Sequence, residues 1–265
     1  MPLTGVVLHS ADQYTGLAAS GRFDNGPLAI AAVVAGSAAE RAGLRPNDGI
    51  ESIAGTEIVA LQSSAGEHLR EVAFAAMAQS EVLERLSLRI RRDDETIDID
   101  LPVDRGCRAL VEIRVGSGPN AQTDGRVLQV RYDFAAQLSD NALAVVIAHE
   151  LAHIVLEHRR RKEAAGIDNG MFASVGRNQQ ANRTAEIEAD RLAPHLLANA
   201  GYFAAHAAAF WVSEGPRSSN VLSFVYPSAQ ARAQLIQREI DRYLPLGRGP
   251  SWPGHLLALR DREFE

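Results

Sequence analysis

The chain has 265 residues, a net charge of −6 and a single cysteine, Cys107. That length accommodates two domains, each large enough to bury its own core. The acidic balance argues against a nucleic-acid partner, which a basic face would usually meet; one cysteine excludes an internal disulfide; and no run of about 20 apolar residues signals a membrane-spanning helix. Met1 opens no secretory signal, and the chain begins almost directly on a domain, as one trimmed of a leader would. The first hundred residues read as a small sheet packed by one helix. Apolar strands are expected at Leu28 to Val34 and Ile50 to Ile53, a helix from about Ala65 to Ala78, and alternating strands at Leu86 to Ile90 and Thr96 to Leu101. Their period of two puts Leu86, Leu88 and Ile90 on one face, and Ile97, Ile99 and Leu101 likewise.

Between the first two strands, Ala35-Gly36-Ser37-Ala38-Ala39-Glu40-Arg41-Ala42-Gly43-Leu44-Arg45-Pro46-Asn47-Asp48 resembles the short helix and turn of bacterial PDZ domains. Asn47 stands where glycine is usual, and asparagine tolerates the positive φ such a turn needs. The resemblance implies a peptide-binding domain that adds a ligand strand beside its own edge. Tyr14-Thr15-Gly16-Leu17 is similar to the loop with which those domains hold a terminal carboxylate, making Gly16 and Leu17 candidate peptide-binding residues. A glycine-containing surface turn is the competing reading. The strand pattern stops at Pro102 to Cys107, which divides the chain into 1–104 and 105–265.

The second part holds the chemistry. Ser139, Asp140 and Asn141 are natural N-cap residues ahead of the apolar run Ala142 to Ile147. The run resumes at Ile154, Val155 and Leu156, so a long, largely buried helix is expected. Within it lies His149-Glu150-Leu151-Ala152-His153. Residues i and i+4 share a helix face, about 6 Å apart, so both imidazoles can reach one metal ion. Glu150 is rotated off that axis and is free to take a proton from a metal-bound water, the division of labour of the HExxH motif. The bland reading is a solvated helix that merely contains two histidines.

Catalytic zinc usually takes three protein ligands and leaves one position for water. The metzincin pattern would place glycine and histidine at 156 and 159, where the chain has Leu156 and Arg159. His158, five residues past His153 and about 140° round a continuous helix, reads as a surface residue or a neighbour of a ligand. In Thr184-Ala185-Glu186-Ile187-Glu188-Ala189-Asp190, at the start of a second helical pattern, Glu186 and Asp190 share a face. Glu188 is turned about 200° away from them. Glu186 is thus the expected third ligand, and Asp190 the acceptor for the free ring N–H of a ligand histidine. An ordinary exposed helix glutamate is the alternative for Glu186.

The HELAH segment, followed by this Glu-x-x-x-Asp helix, resembles the gluzincin peptidases of the HtpX-like and CAAX-prenyl-protease-like family over about residues 105 to 240. Asn120-Ala121 and Gly125 to Val130 are similar to the strand that family places before its zinc helix. Leu192, Leu196 and Gly201-Tyr202 are similar to its second ligand helix and the turn that ends it. Tyr226-Pro227-Ser228 with Arg232 is similar to the family's His-Pro segment and downstream arginine, except that Tyr226 replaces the histidine. A tyrosine hydroxyl can also donate to a developing oxyanion, so Tyr226 is a candidate catalytic residue.

The basic run Arg159 to Lys162 reads as the solvated C-terminal end of the zinc helix, with contact to anionic lipid as the sharper alternative. The tail from Leu244 to Gly254 is expected to be irregular, with Trp252 as a packing anchor and a last short helix at about His255 to Asp261. The sequence therefore leads to an α+β protein, with a small PDZ-like sheet domain followed by a mainly helical zincin-type domain with a small sheet. The expected activity is that of a zinc endopeptidase acting on unfolded polypeptides in protein quality control, one Zn2+ per chain, with Arg126 to Tyr132 as the edge on which substrate docks. A peptide-binding, chaperone-like protein with an inactive or gated protease domain is the competing class. By resemblance to the soluble relatives, a periplasmic or cell-envelope location is expected.

Overall fold

The computed structural model describes residues 2–14, 21–63, 67–79, 84–106, 109–167, 176–213, 228–244 and 249–264. It is a mixed α+β structure of two compact units, Met1–Arg108 and Ala109–Glu265. Gly16, Leu17 and Tyr226 lie outside the described residues.

In the first unit the strands are β1 (Pro2–Leu3), β2 (Val6–Ser10), β3 (Leu28–Val33), β4 (Gly49–Ile53), β5 (Thr56–Glu57), β6 (Arg85–Arg92), β7 (Glu95–Pro102) and β8 (Asp104–Arg105). The helices are α1 (Ala38–Arg41) and α2 (Leu69–Gln79). The main sheet runs β2-β3-β4-β6-β7, with β5 on β4 and a separate β1–β8 pair. Alternation works as the period of two requires: Leu86, Leu88 and Ile90 are buried with Leu28, Ile30, Ile50 and Ile53 in one core. The intervening arginines of β6 face outward and pair across strands, Arg89 Nε with Asp98 at 2.9 Å and Arg91 Nε with Glu51 at 2.7 Å. These pairs are exposed and contribute little to stability. The turn before β4 is built more firmly. Asn47 adopts φ +70°, and buried Asp48 accepts from Arg45 N at 2.8 Å and from both Nε and Nη2 of Arg92 at 2.7 Å. Gly49 follows because a Cβ there would fall 1.8 Å from the carbonyl oxygen of Asn25.

The second unit comprises strands β9 (Leu110–Arg114), β10 (Ala121–Thr123) and β11 (Val127–Arg131). Its helices are α3 (Tyr132–Ala135), α4 (Asp140–Val155), α5 (His158–Ala164), α6 (Gly176–Asn199), α7 (Ala205–Ser213), α8 (Ala229–Tyr243) and α9 (Gly254–Leu257). The sheet order is β10-β11-β9, with β11 antiparallel to β10 and parallel to β9. This corrects one expectation. The strand at 126 to 132 has a neighbour on each side and cannot serve as an edge; the edge beside the helices is β10. Asn120 O accepts from Arg131 N at 2.8 Å and Asp124 N donates to Val127 O at 3.2 Å. The antiparallel alternation then turns the N–H and C=O of Ala121 and Thr123 outward, away from β11.

Ser139 caps α4 by accepting from Ala142 N at 3.2 Å. Helix α4 packs on α6 through small side chains, Ala152 with Ala189 in one buried cluster and Ala148 with Ala193 in another. Small side chains let two helix axes approach closely, which is what brings the polar residues of both helices into reach. Leu128 and Val130 of β11, Val145 and Val146 of α4, Leu197 of α6, Phe210 of α7 and Ile236 of α8 form the main core. Helix α4 stops at Val155 because Glu157 takes a left-handed conformation, φ 52° and ψ 38°, and α5 starts afresh. The basic run is therefore a separate helix and not the solvated end of α4. Arg161 within it is only 3 % exposed, while Arg159 and Arg160 stay at the surface in ion pairs with Glu163 and Glu157. Helix α6 begins at Gly176, well ahead of the expected start. Trp252 is 84 % exposed and packs no core; the last helix, α9, continues as a 3-10 turn to Asp261. Among the described residues, no helix is long and apolar enough to cross a membrane.

Candidate metal centre

Helices α4, α6 and α8 converge on one polar cluster. His149 Nε2 and His153 Nε2, one turn apart on α4, lie 3.3 Å from each other. Glu186 of α6 closes the triangle, Oε2 at 3.2 Å from His149 Nε2 and Oε1 at 3.5 Å from His153 Nε2. A zinc ion with bonds of about 2.0 to 2.1 Å in tetrahedral geometry separates its ligand atoms by about 3.3 to 3.4 Å. The three distances lie near that value, the two from Glu186 being to different oxygens, so the donor set fits such an ion with a small turn of the Glu186 carboxylate.

The electrostatics fit as well. Burial opposes a charge on His149, yet hydrogen bonding and charge from Asp190 and Glu186 outweigh it and raise the ring's pKa to about 10. Burial would also raise the Glu186 carboxyl, but His149, His153 and Arg232 together hold it far below the usual carboxylate range. The His153 ring is pushed well below its usual value by burial and by the positive charge of its neighbours.

Asp190 Oδ1 sits 3.2 Å from His149 Nδ1, but Nδ1 has no hydrogen-bond partner of good geometry. The pair is within ion-pair range and slightly out of line. The firmer partner of Asp190 is Arg232 of α8, which donates twice, Nε at 2.6 Å and Nη2 at 2.7 Å. Arg232 also reaches Glu186 at 3.6 Å and lies 3.4 Å over the ring of Trp211 from α7. Trp211 in turn stands edge-on to His149, ring centroids 6.2 Å apart. No motif marks Trp211 in the sequence.

His158 is a neighbour of a ligand. The left-handed break at Glu157 turns it back, so its Nδ1 lies 2.7 Å from His153 Nδ1 and its Nε2 3.0 Å from Glu188 Oε2. With His153 Nε2 facing Glu186, one consistent tautomer set has His153 Nδ1–H donating to His158 and His158 Nε2–H donating to Glu188. Glu188 does face away from Glu186, as its helical angle requires, but into the protein. Arg161 Nη1 donates to it at 2.6 Å, and Arg161 is itself held by the Arg262 carbonyl at 2.8 Å and stacked on Phe264 at 4.2 Å.

Glu150 lines the same cleft, a space of about 870 Å³ walled by β10 and its flanking turns, α4, Lys162 and Trp211. Burial raises the Glu150 carboxyl above its ordinary pKa, with the nearby His149 and Arg232 opposing and Glu186 adding to the shift. The structure therefore brings His149, Glu150, His153, Glu186 and Asp190 to one place and adds His158, Glu188, Arg161, Arg232 and Trp211.

No curated protein matches the chain. Residues 108–214, which carry β9 through α7, match the DUF2201_N family model, described as "Putative metallopeptidase domain". That segment, with all five expected site residues of α4 and α6 inside it and the first unit and α8 beyond it, is metallopeptidase-like.

Proposed function

We propose that the chain is a zinc-dependent endopeptidase of the HtpX-like gluzincin type that cleaves unfolded polypeptides, with the first unit acting as a PDZ-like selector of substrate. The observation that carries this reading is the convergence of one ligand atom each from His149, His153 and Glu186 within 4.8 Å of one another, in an open cleft that also contains Glu150. These three residues would hold the ion, which when bound supplies Lewis acidity and lowers the pKa of a coordinated water. Glu150, in reach of the same cleft, accepts a proton from the attacking water and returns it to the leaving amine. Arg232 and Asp190 fix the orientation of Glu186 and His149 from behind. The outward N–H and C=O groups of Ala121 and Thr123 on β10 offer an extended substrate backbone two points of attachment. In the first unit, the Asn47 turn and the β2-β3-β4-β6-β7 sheet support the PDZ-like assignment, and Gly16 and Leu17 are its proposed carboxylate contacts. A periplasmic or cell-envelope location belongs to the same proposal and is tested by fractionation.

Glu150→Gln keeps shape and all ligands while removing the base. It should retain zinc and lose hydrolysis of casein by at least about 100-fold, the usual scale of a general base. Equal inertness of wild type and variant on unfolded proteins and peptides, with zinc bound in both, would instead favour the peptide-binding, chaperone-like class.

A further inference from the structure

Away from the cleft, a second set of ligand-type side chains comes together from three helices. His195 near the end of α6, Glu239 on α8 and His255 on α9 place one nitrogen or oxygen each within 4.8 Å of one another. Glu239 Oε1 is 2.6 Å from His255 Nε2 and 3.3 Å from His195 Nε2. We propose that these three residues form a second, structural metal site that takes a zinc ion or an ion of similar preference. Two imidazoles and a carboxylate are a donor set suited to zinc.

Each donor is oriented from behind, as metal ligands are. Ser251 Oγ lies 2.6 Å from His195 Nδ1, leaving Nε2 as the nitrogen that faces Glu239. Ser251 is itself clamped by Asn199, through Ser251 N to Asn199 Oδ1 at 2.6 Å and Asn199 Nδ2 to Ser251 O at 3.0 Å. Arg191 Nε donates to the other oxygen of Glu239 at 2.7 Å, so Oε1 alone points to the histidines. The ring of His255 is stacked on Tyr243, centroids 3.9 Å apart and planes 18° from parallel. The side chains of His195 and Glu239 are 1 % and 4 % exposed, that of His255 29 %, so the ion would enter from the His255 side.

The position suggests what the ion does. It would tie residues 249–264 to α6 and α8, and the far end of that segment holds Arg161 through Arg262 and Phe264. Arg161 supports Glu188, His158 and then His153. A metal at His195, Glu239 and His255 would thus act as a staple behind the first centre. The competing state is a metal-free cluster in which ring protons satisfy Glu239.

The test uses the full chain, stripped with a chelator, reloaded with zinc alone, desalted and analysed for metal. Wild type should bind about two ions per chain. His149→Ala/His153→Ala should keep about one, and adding His255→Ala or Glu239→Gln should remove it. Cobalt(II) loaded into the His149→Ala/His153→Ala protein should give a ligand-field absorption that His255→Ala abolishes, and zinc should raise its unfolding temperature only while His255 is present. His255→Ala alone, at a partly exposed position, serves if the double variant misfolds by circular dichroism: wild type at two ions and His255→Ala at one supports the site. One ion in wild type, lost with His149 and kept in His255→Ala, overturns this inference and leaves the proposed function standing. One ion kept without His149 and lost with His255 does the reverse.

Discussion

Glu188→Gln tests whether the support behind His153 is as tightly built as the contacts imply. Glu188 accepts from His158 Nε2 at 3.0 Å and from Arg161 at 2.6 and 3.3 Å. An amide whose oxygen takes the Oε2 position keeps the two shorter bonds. Its nitrogen then meets Arg161 Nη2 donor to donor, and Arg161, 3 % exposed, loses the one carboxylate that pairs with it among the described residues. Breaking a buried pair by removing one charge costs about 3 to 5 kcal/mol. Because two hydrogen bonds survive, the lower end is expected, about 3 kcal/mol, or a fall in unfolding temperature of about 6 to 12 °C for a unit of this size. Urea denaturation measures the first and a thermal melt the second. Zinc affinity, by competition with a chromophoric chelator, should fall about 10 to 100-fold, the scale of changes to groups that orient ligands. A stability loss below about 1 kcal/mol would show that Arg161 finds solvent. Unchanged zinc affinity would show that the charge of Glu188 is not felt at His153 through His158.

Glu186→Ala should lose zinc from the first centre, and metal analysis showing loss in Glu188→Ala but full retention in Glu186→Ala would mean the wrong glutamate was assigned. Ala121→Pro on β10 removes an outward N–H and spares the pairing with β11; a lost hydrogen bond of about 1 kcal/mol should raise KM about fivefold with kcat little changed, and an unaltered KM would take substrate off this edge. Glu239 would be raised by burial, but His195, Arg191 and His255 hold it down at about 2, below the ordinary 4.5. Its stabilising contribution is present above about pH 4.5 and is lost as pH falls toward 2, so in chelator-stripped protein the urea midpoints of wild type and Glu239→Gln should converge between pH 5 and 2; a constant gap would refute the shift. Removing residues 1–104 should leave zinc binding intact and impair cleavage of long substrates more than short peptides, because a tethered second contact is lost; equal losses would point to a role in holding up the protease fold.

Helix α4 is legible in the sequence because its signals are local: Ser139 as cap, an apolar run, and two histidines one turn apart. Glu186 and Asp190 were readable for the same reason. What the sequence hid depends on partners far along the chain. The 126 to 132 strand was taken for an edge because nothing local reveals that β9 lies parallel beside it. The helical angle of His158 assumed an unbroken helix, whereas Glu157, with no glycine nearby to announce it, turns left-handed. Arg161 sat in a run of four basic residues that reads as solvated surface, and only the fold shows Glu188 beneath it. His195 and Glu239 are 44 residues apart and Glu239 and His255 16, in no recognisable spacing, so their meeting emerges only when α6, α8 and α9 are packed.

The alanine seam between α4 and α6 has a further consequence. Surfaces of Ala148, Ala152, Ala189 and Ala193 are smooth, and smooth surfaces by themselves discriminate poorly between one rotational setting of a helix and the next. Turning α6 by one residue, about 100°, would unseat Leu192 and Leu197 from their buried clusters. It would also carry Glu186 and Asp190 away from the histidines and Arg232, Glu188 away from Arg161, and His195 away from Glu239. Each stranded polar group costs about 1 to 3 kcal/mol, so the polar contacts act as teeth that index the helix. Close approach is thereby left to the alanines, while angular precision is shared by the buried leucines and the charges.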